Sequence, residues 1–108
     1  MSGVFPDREK AFEDKWAHDE ELRFKVLARR NKLLGLWAAT EMGLKAAQAD
    51  AYVKAIIQAE LTKGGDEAVF QKLKADFAAA NIARTDHLLH RKMDELLQTA
   101  KNEIMAGG

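Results

Sequence analysis

The histidines are the residues of this chain that come nearest to a metal-binding pattern. His87 and His90 stand three residues apart, and Asp94 follows His90 by four, so that on a helix these side chains would lie close together. A zinc site needs three or four protein ligands, and a histidine pair without a further identifiable ligand is a weak signal. A solvent-exposed helix face explains the pattern more simply, and we predict no metal site.

Nucleophilic and acid–base catalysis also find little support. Ser2 is the only serine and there is no cysteine, so a serine triad or a thiolate site has no internal nucleophile. Gly64-Gly65 lacks the following Lys-Ser/Thr pair of a phosphate-binding loop. The acidic residues fall on polar helix faces, without the apolar surroundings that would raise a carboxyl pKa for general acid work. We therefore expect no enzymatic activity, no catalytic residue and no cofactor.

Charge is balanced over the whole chain, with 17 Lys+Arg and 17 Asp+Glu, so no net field attracts nucleic acid. Residues 22–32 nevertheless contain five basic residues and no acidic one: Arg23, Lys25, Arg29, Arg30 and Lys32. The simpler interpretation is a solvated face that pairs with neighbouring acids; the alternative is a docking face for an acidic partner.

No apolar run reaches the roughly 20 residues of a membrane span, and no signal peptide is recognisable, so we expect a cytoplasmic protein without membrane insertion.

The elements that position these residues are predicted to be helices. Ala, Leu, Lys and Glu are abundant, Pro6 is the only proline, and no run alternates as a strand would. Apolar stripes at helical spacing predict a long first helix over residues 8–42, capped by Asp7, and a second helix over 46–62. A third helix is predicted to begin at an Asp66 cap, and a fourth to run from an Asn81 or Thr85 cap to the C-terminus. The economical arrangement is all-α, a four-helix bundle around one core.

The long first helix cannot be uniform, because residues 17–21 carry no large apolar side chain. This interruption predicts a mobile N-terminal arm over residues 1–19, separate from a bundle domain over 20–108. Phe5, Phe12 and Trp16 follow one another at spacings of seven and four. Two interpretations are equally supported: these side chains fold back onto the bundle, or they stay exposed and anchor a helix in the groove of a partner.

Several segments together resemble a known family, the zeta subunit family of alphaproteobacterial F-type ATP synthase inhibitors. The resemblance covers nearly the whole chain and is most specific between Lys15 and Ala39. The matching segments are Phe5-Pro6-Asp7-Arg8-Glu9-Lys10-Ala11, Glu13-Asp14-Lys15-Trp16-Ala17-His18-Asp19, Glu21-Leu22-Arg23-Phe24-Lys25, Ala28-Arg29-Arg30-Asn31-Lys32-Leu33-Leu34-Gly35-Leu36-Trp37-Ala38-Ala39, Gly65-Asp66-Glu67 with Val69-Phe70 and Lys72-Leu73, and Arg91-Lys92-Met93 with Glu95-Leu96.

The resemblance implies a helical bundle whose N-terminal segment enters a catalytic interface of the F1 head and blocks rotation in the direction of ATP hydrolysis. Its partners would be the large catalytic and non-catalytic subunits and the central stalk. The protein would be monomeric when free, and peripheral to the inner membrane through the ATP synthase. Carried onto this sequence, the resemblance assigns partner binding to arm residues, namely Phe5, Asp7, Arg8, Glu9, Phe12, Glu13, Lys15, Trp16 and His18.

Two other classes of function stay open from the residues alone. One is a small helical module that holds a nucleotide or a metal, in which the histidines and the basic run would matter. The other is an adaptor for an unrelated helical partner. Deletion of the arm distinguishes the ligand-binding module from an inhibitor: a ligand-binding bundle would keep its function without the arm, whereas an inhibitor would lose it.

Overall fold

The computed structural model describes the backbone of residues 4–107 and the side chains of residues 9–107. Over this part of the chain it contains five α-helices and no strand: α1 Val4–His18, α2 Glu20–Glu41, α3 Ala46–Glu60, α4 Asp66–Ala79 and α5 Asp86–Met105. The all-α prediction is confirmed.

The expected long first helix is wrong, because the chain divides it into α1 and α2 at Asp19. Asp19 adopts extended backbone angles (φ −106°, ψ 106°), and its carboxylate accepts a hydrogen bond from the Leu22 amide at 3.0 Å. Aspartate at this position satisfies an otherwise unpaired amide of the new helix. The break lies inside the predicted interval 17–21, but it makes α1 a short helix of its own and brings the total in the described chain to five. Because α1 begins at Val4, Asp7 lies within it and is not its cap.

The helices α2 to α5 share one apolar core, and each contributes at least one fully buried side chain. On α5 the stripe predicted from spacing is confirmed at its centre, since Leu89, Met93 and Ala100 are buried. The other core residues are Leu34 and Ala38 of α2, Ile56 of α3, and Val69, Phe70, Leu73 and Phe77 of α4. None of the described side chains of α1, residues 9–18, belongs to this core.

The helix ends match the prediction in one case and depart from it in two. Thr85, one of the two caps predicted for the last helix, caps α5 and accepts a hydrogen bond from the Leu88 amide at 3.0 Å; the alternative, Asn81, is not the cap. The helix α3 ends at Glu60, two residues before the predicted end, and a turn over 61–65 connects it to α4. Asp66 was predicted to cap the next helix, but it is the first residue of α4, and Gly65 occupies the N-cap position. The Asp66 carboxylate instead binds a basic side chain of α2.

One glycine sets how closely α2 and α3 approach. A Cβ atom on Gly35 would lie 2.9 Å from Val53 Cα and 3.0 Å from Val53 Cγ2, so no other residue fits without moving α3. This close approach brings Phe24 and Ala28 of α2 beside Ile57 of α3 on the protein surface. The two helices thereby form the walls of a surface groove.

Candidate functional site

The helix α1 folds back against the C-terminal half of α5, which is the first of the two arrangements left open by the sequence. Lys101 of α5 holds it: its Nζ lies 4.5 Å from the centre of the Trp16 ring and 3.3 Å from Glu13 Oε1. Phe12 and Trp16 are half-buried. A cavity of about 230 Å³ remains between the two helices, lined by Phe12, Gln98 and Met105 among others.

The seam between α1 and α5 therefore contains a cleft that is open to solvent. The Glu13–Lys101 pair is half-exposed on the Glu13 side, and such pairs contribute about 1 kcal/mol or less. Among the described side chains, the polar part of this contact depends on Lys101, and Phe12 and Trp16 supply its apolar part.

The other residues predicted for partner binding in the arm lie on its outer surface or outside the described side chains. Glu9, Lys15 and His18 are exposed on α1. Phe5, Asp7 and Arg8 belong to the backbone of α1, but their side chains lie outside the described part of the structure. The partner-binding role of all these residues stays a prediction.

The basic run divides into four surface residues and one buried residue. Arg30 is only 1% exposed, so its assignment to a docking face is wrong. Its guanidinium donates to Asn31 Oδ1 at 2.8 Å, to Glu60 Oε1 at 2.9 Å and to Asp66 Oδ1 at 2.6 Å. Arg30 therefore ties α2 to the end of α3 and the start of α4.

The two carboxylates that meet Arg30 ionise differently. Burial raises the pKa of Glu60 to about 7, and the adjacent Asp66 carboxylate adds to the shift. Burial also opposes ionisation of Asp66, but its hydrogen bonds to Glu60 and Arg30 outweigh burial and lower its pKa. A single buried cation thus keeps Asp66 charged while Glu60 holds a proton at mildly acidic pH.

The sequence carries one signal that sets Arg30 apart from the surface bases. Val26, Arg30, Leu34 and Ala38 follow one another at intervals of four, and all but Arg30 are apolar. A basic residue in the middle of a buried row needs carboxylate partners. Nothing in the local sequence points to Glu60 and Asp66 as those partners, because they are 30 and 36 residues away.

The other members of the basic run are accessible to different degrees. Arg23, Lys25 and Lys32 are exposed, and Arg29 is half-buried with its Nη1 2.6 Å from Glu103 Oε1. Lys25, Arg29 and Lys32 line an open groove of about 660 Å³ between α2, α3 and the end of α5. The walls of this groove, which we call the Phe24 groove, are otherwise apolar and include Phe24, Ala28, Val53, Ile57 and Ile104.

The histidines do not form a metal centre in the described part of the chain, where no three His, Cys, Asp or Glu side chains converge. The exposed ring of His90 stacks on Phe70, with ring centroids 3.9 Å apart and an interplanar angle of 11°. His87 is exposed on the same helix. Among the described helices, none is both long and apolar enough to cross a membrane.

Over the described residues the structure is all-helical, and its notable surfaces are those of α1, packed against α5, and an apolar groove with a basic rim. Both are surfaces suited to contact with another macromolecule. The family model for ATPase inhibitor subunit zeta matches residues 1–103, and the chain belongs to that family. No curated protein sequence matches the chain significantly.

Proposed function

We propose that this protein inhibits ATP hydrolysis by the F1 head of the ATP synthase, with α1 as the inhibitory element. In this proposal α1 leaves α5, enters a catalytic interface between the large subunits near the central stalk, and blocks rotation in the hydrolysis direction. The protein would act at the cytoplasmic face of the inner membrane, attached only through the ATP synthase. Membership of the ATPase inhibitor family supports the general function.

The observation that carries the proposal for α1 is its separation from the core. Asp19 gives α2 an N-terminal cap of its own, so α2 does not need α1 to satisfy its first amides. The backbone of Asp19 closes α1, with its N–H donating to Lys15 O, and opens α2, with its C=O accepting from the Arg23 N–H. The joint is therefore a one-residue bend, around which α1 can move as a preformed helix.

The side chains on α1 suit insertion into an apolar cleft. Phe12 and Trp16 lie one helical turn apart on one face and are only half-buried against α5. Transfer of these rings into a fully enclosed interface would bury the surface that the seam leaves accessible. Glu9, Glu13 and Lys15 surround this face and could pair with charged groups of the ATPase.

The proposal is tested by titration of ATP hydrolysis by F1 that lacks its own inhibitor subunit. The full chain should inhibit, and the variant Phe12→Ala/Trp16→Ala should lose inhibition while circular dichroism shows a retained helical fold. A chain that lacks residues 1–18 should behave like this double variant. The matched control is Leu36→Ala, which removes an exposed apolar side chain of α2 and should leave inhibition unchanged. Absence of inhibition by the full chain at micromolar excess would overturn the proposal.

A further inference from the structure

The Phe24 groove, of about 660 Å³, shares no lining residue with the seam between α1 and α5. Phe24 lines the groove with 60% of its surface exposed. Together with Ala28 and Ile57 it also lines a smaller cavity of about 150 Å³, whose other lining residues are Leu27, Asn31, Glu60 and Leu61. Glu60, the one charged residue of this smaller cavity, is paired with Arg30. Leu61 is also 60% exposed. The two cavities make one continuous apolar strip along the junction of α2 and α3.

The dimensions of the strip suit a helix. On the α3 side it includes Val53, Ile57 and Leu61, which are spaced by four residues and span about 12 Å at 1.5 Å per residue. On the α2 side Phe24 and Ala28 face them with the same spacing. Two turns of a partner helix, with apolar side chains at i, i+4 and i+7 or i+8, would match this length and periodicity.

The charges at the rim favour an acidic partner. Lys25 and Lys32 are exposed and make no ion pair among the described residues, whereas Arg29 is already paired with Glu103. The lining of the large cavity contains three basic residues and no acidic one. Charges of one sign around an apolar centre steer a partner of the opposite sign and fix its register.

We propose that the Phe24 groove is a second docking surface, which binds an acidic amphipathic helix of the ATP synthase while α1 acts elsewhere. This inference rests on the proposed function for the identity of the partner. A body anchored in this way holds α1 at high local concentration near its target, because the second contact becomes intramolecular. The groove therefore sets the affinity of the protein, and α1 sets the extent of inhibition.

The test uses the full chain with a fluorophore on Gln71→Cys, an exposed position of α4 outside the groove, and measures anisotropy on addition of F1 free of its own inhibitor. Phe24→Ala should weaken binding about tenfold, as expected for a central apolar contact. Lys25→Glu should also weaken binding and reduce its dependence on salt. The matched controls are Leu36→Ala, an apolar side chain 39% exposed on the same helix, and Arg91→Glu, an exposed base of α5 that does not line the groove; both should bind like the parent.

Each outcome decides the proposal. Equal binding by the parent, Phe24→Ala and Lys25→Glu overturns the docking role of the groove, even if the chain inhibits F1. Groove-dependent binding without inhibition of hydrolysis supports the groove and contradicts the function proposed for α1. No binding of the parent to F1 contradicts both. Sedimentation of the free chain provides the last outcome: if the parent self-associates and Phe24→Ala does not, the occupant is a second copy of this chain and the proposal is wrong.

Discussion

Arg30 is the residue on which the joining of three helices depends most. It is fully buried in a row of apolar residues, and its charge is balanced only by Glu60 and Asp66 at the turn between α3 and α4. Removal of one member of a buried ion pair leaves uncompensated charge in a poorly solvated place. The function of this cluster is therefore structural, although the sequence pattern had grouped Arg30 with surface bases.

Arg30→Ala should lower the free energy of unfolding by about 3–5 kcal/mol, the usual range for breaking a buried pair. The neighbouring Arg29 provides the control, since it pairs with Glu103 at a half-exposed site and Arg29→Ala should cost about 1 kcal/mol or less. Urea denaturation followed by circular dichroism measures both. Similar losses for the two variants would show that the Arg30 cluster contributes no more than a surface ion pair.

Glu60 should make stability depend on pH. Its pKa is about 7 in the folded protein against an ordinary value of 4.5, so between these values the unfolded chain releases a proton that the folded chain keeps. The free energy of unfolding contributed by this group is therefore greatest below pH 4.5 and falls as pH rises to about 7. Glu60→Gln should remove this fall, because the amide can still accept from Arg30 but does not titrate.

The measurement is the urea midpoint of the parent and of Glu60→Gln at several values between about pH 4.5 and 8. As pH rises, the urea midpoint of the parent should fall relative to that of Glu60→Gln. Glu67→Gln, at an exposed position one residue beyond Asp66, controls for the loss of a surface carboxylate. Parallel curves for the parent and Glu60→Gln would contradict the assignment of a raised pKa to Glu60.

At the scale of elements, the contact between α1 and α5 governs whether α1 is available. Lys101 makes both the ion pair with Glu13 and the cation–π contact with Trp16, and each is worth about 1 kcal/mol or less at a partly exposed site. If α1 must be free to act, the docked state lowers the apparent affinity of the protein.

Lys101→Ala should therefore shift α1 toward the free state and lower the concentration needed for half-maximal inhibition by several-fold. Trp16 fluorescence in a Trp37→Phe background should report greater exposure of the indole ring. Lys92→Ala is the matched control, since Lys92 stands 5.5 Å from the ring centre of the other tryptophan, Trp37, on the same helix as Lys101. A higher half-maximal concentration for Lys101→Ala would mean that the docked arrangement, and not the free one, binds the ATPase.

At the scale of the whole molecule, the sequence predicted what local periodicity determines and missed what distant contacts determine. The all-α class, the central stripe of α5, the Thr85 cap and a break near Asp19 all derive from spacing and capping chemistry within a few residues. The number of helices was wrong because a polar interval can either bend a helix or end it. Here the interval ends α1, because Asp19 caps the first turn of α2.

The candidate sites show the same division. Phe12 and Trp16 were identified from their spacing, but periodicity could not tell a folded-back helix from an exposed one, since the deciding lysine lies 88 residues from Glu13. Arg30 was misplaced for a similar reason, as its partners come from other helices. The Phe24 groove depends on the approach of α2 and α3 at Gly35, and that distance has no signature in either helix alone.

The most direct test of the central claim is a cross-link from α1 to its site on F1. A photoreactive phenylalanine analogue at position 12 of the full chain would be irradiated in complex with F1, and the same analogue at the exposed position 71 of α4 would serve as the control. The account predicts that position 12 cross-links to the large subunits at a catalytic interface and that position 71 does not. Cross-links from position 12 only to surfaces remote from every catalytic interface would contradict it.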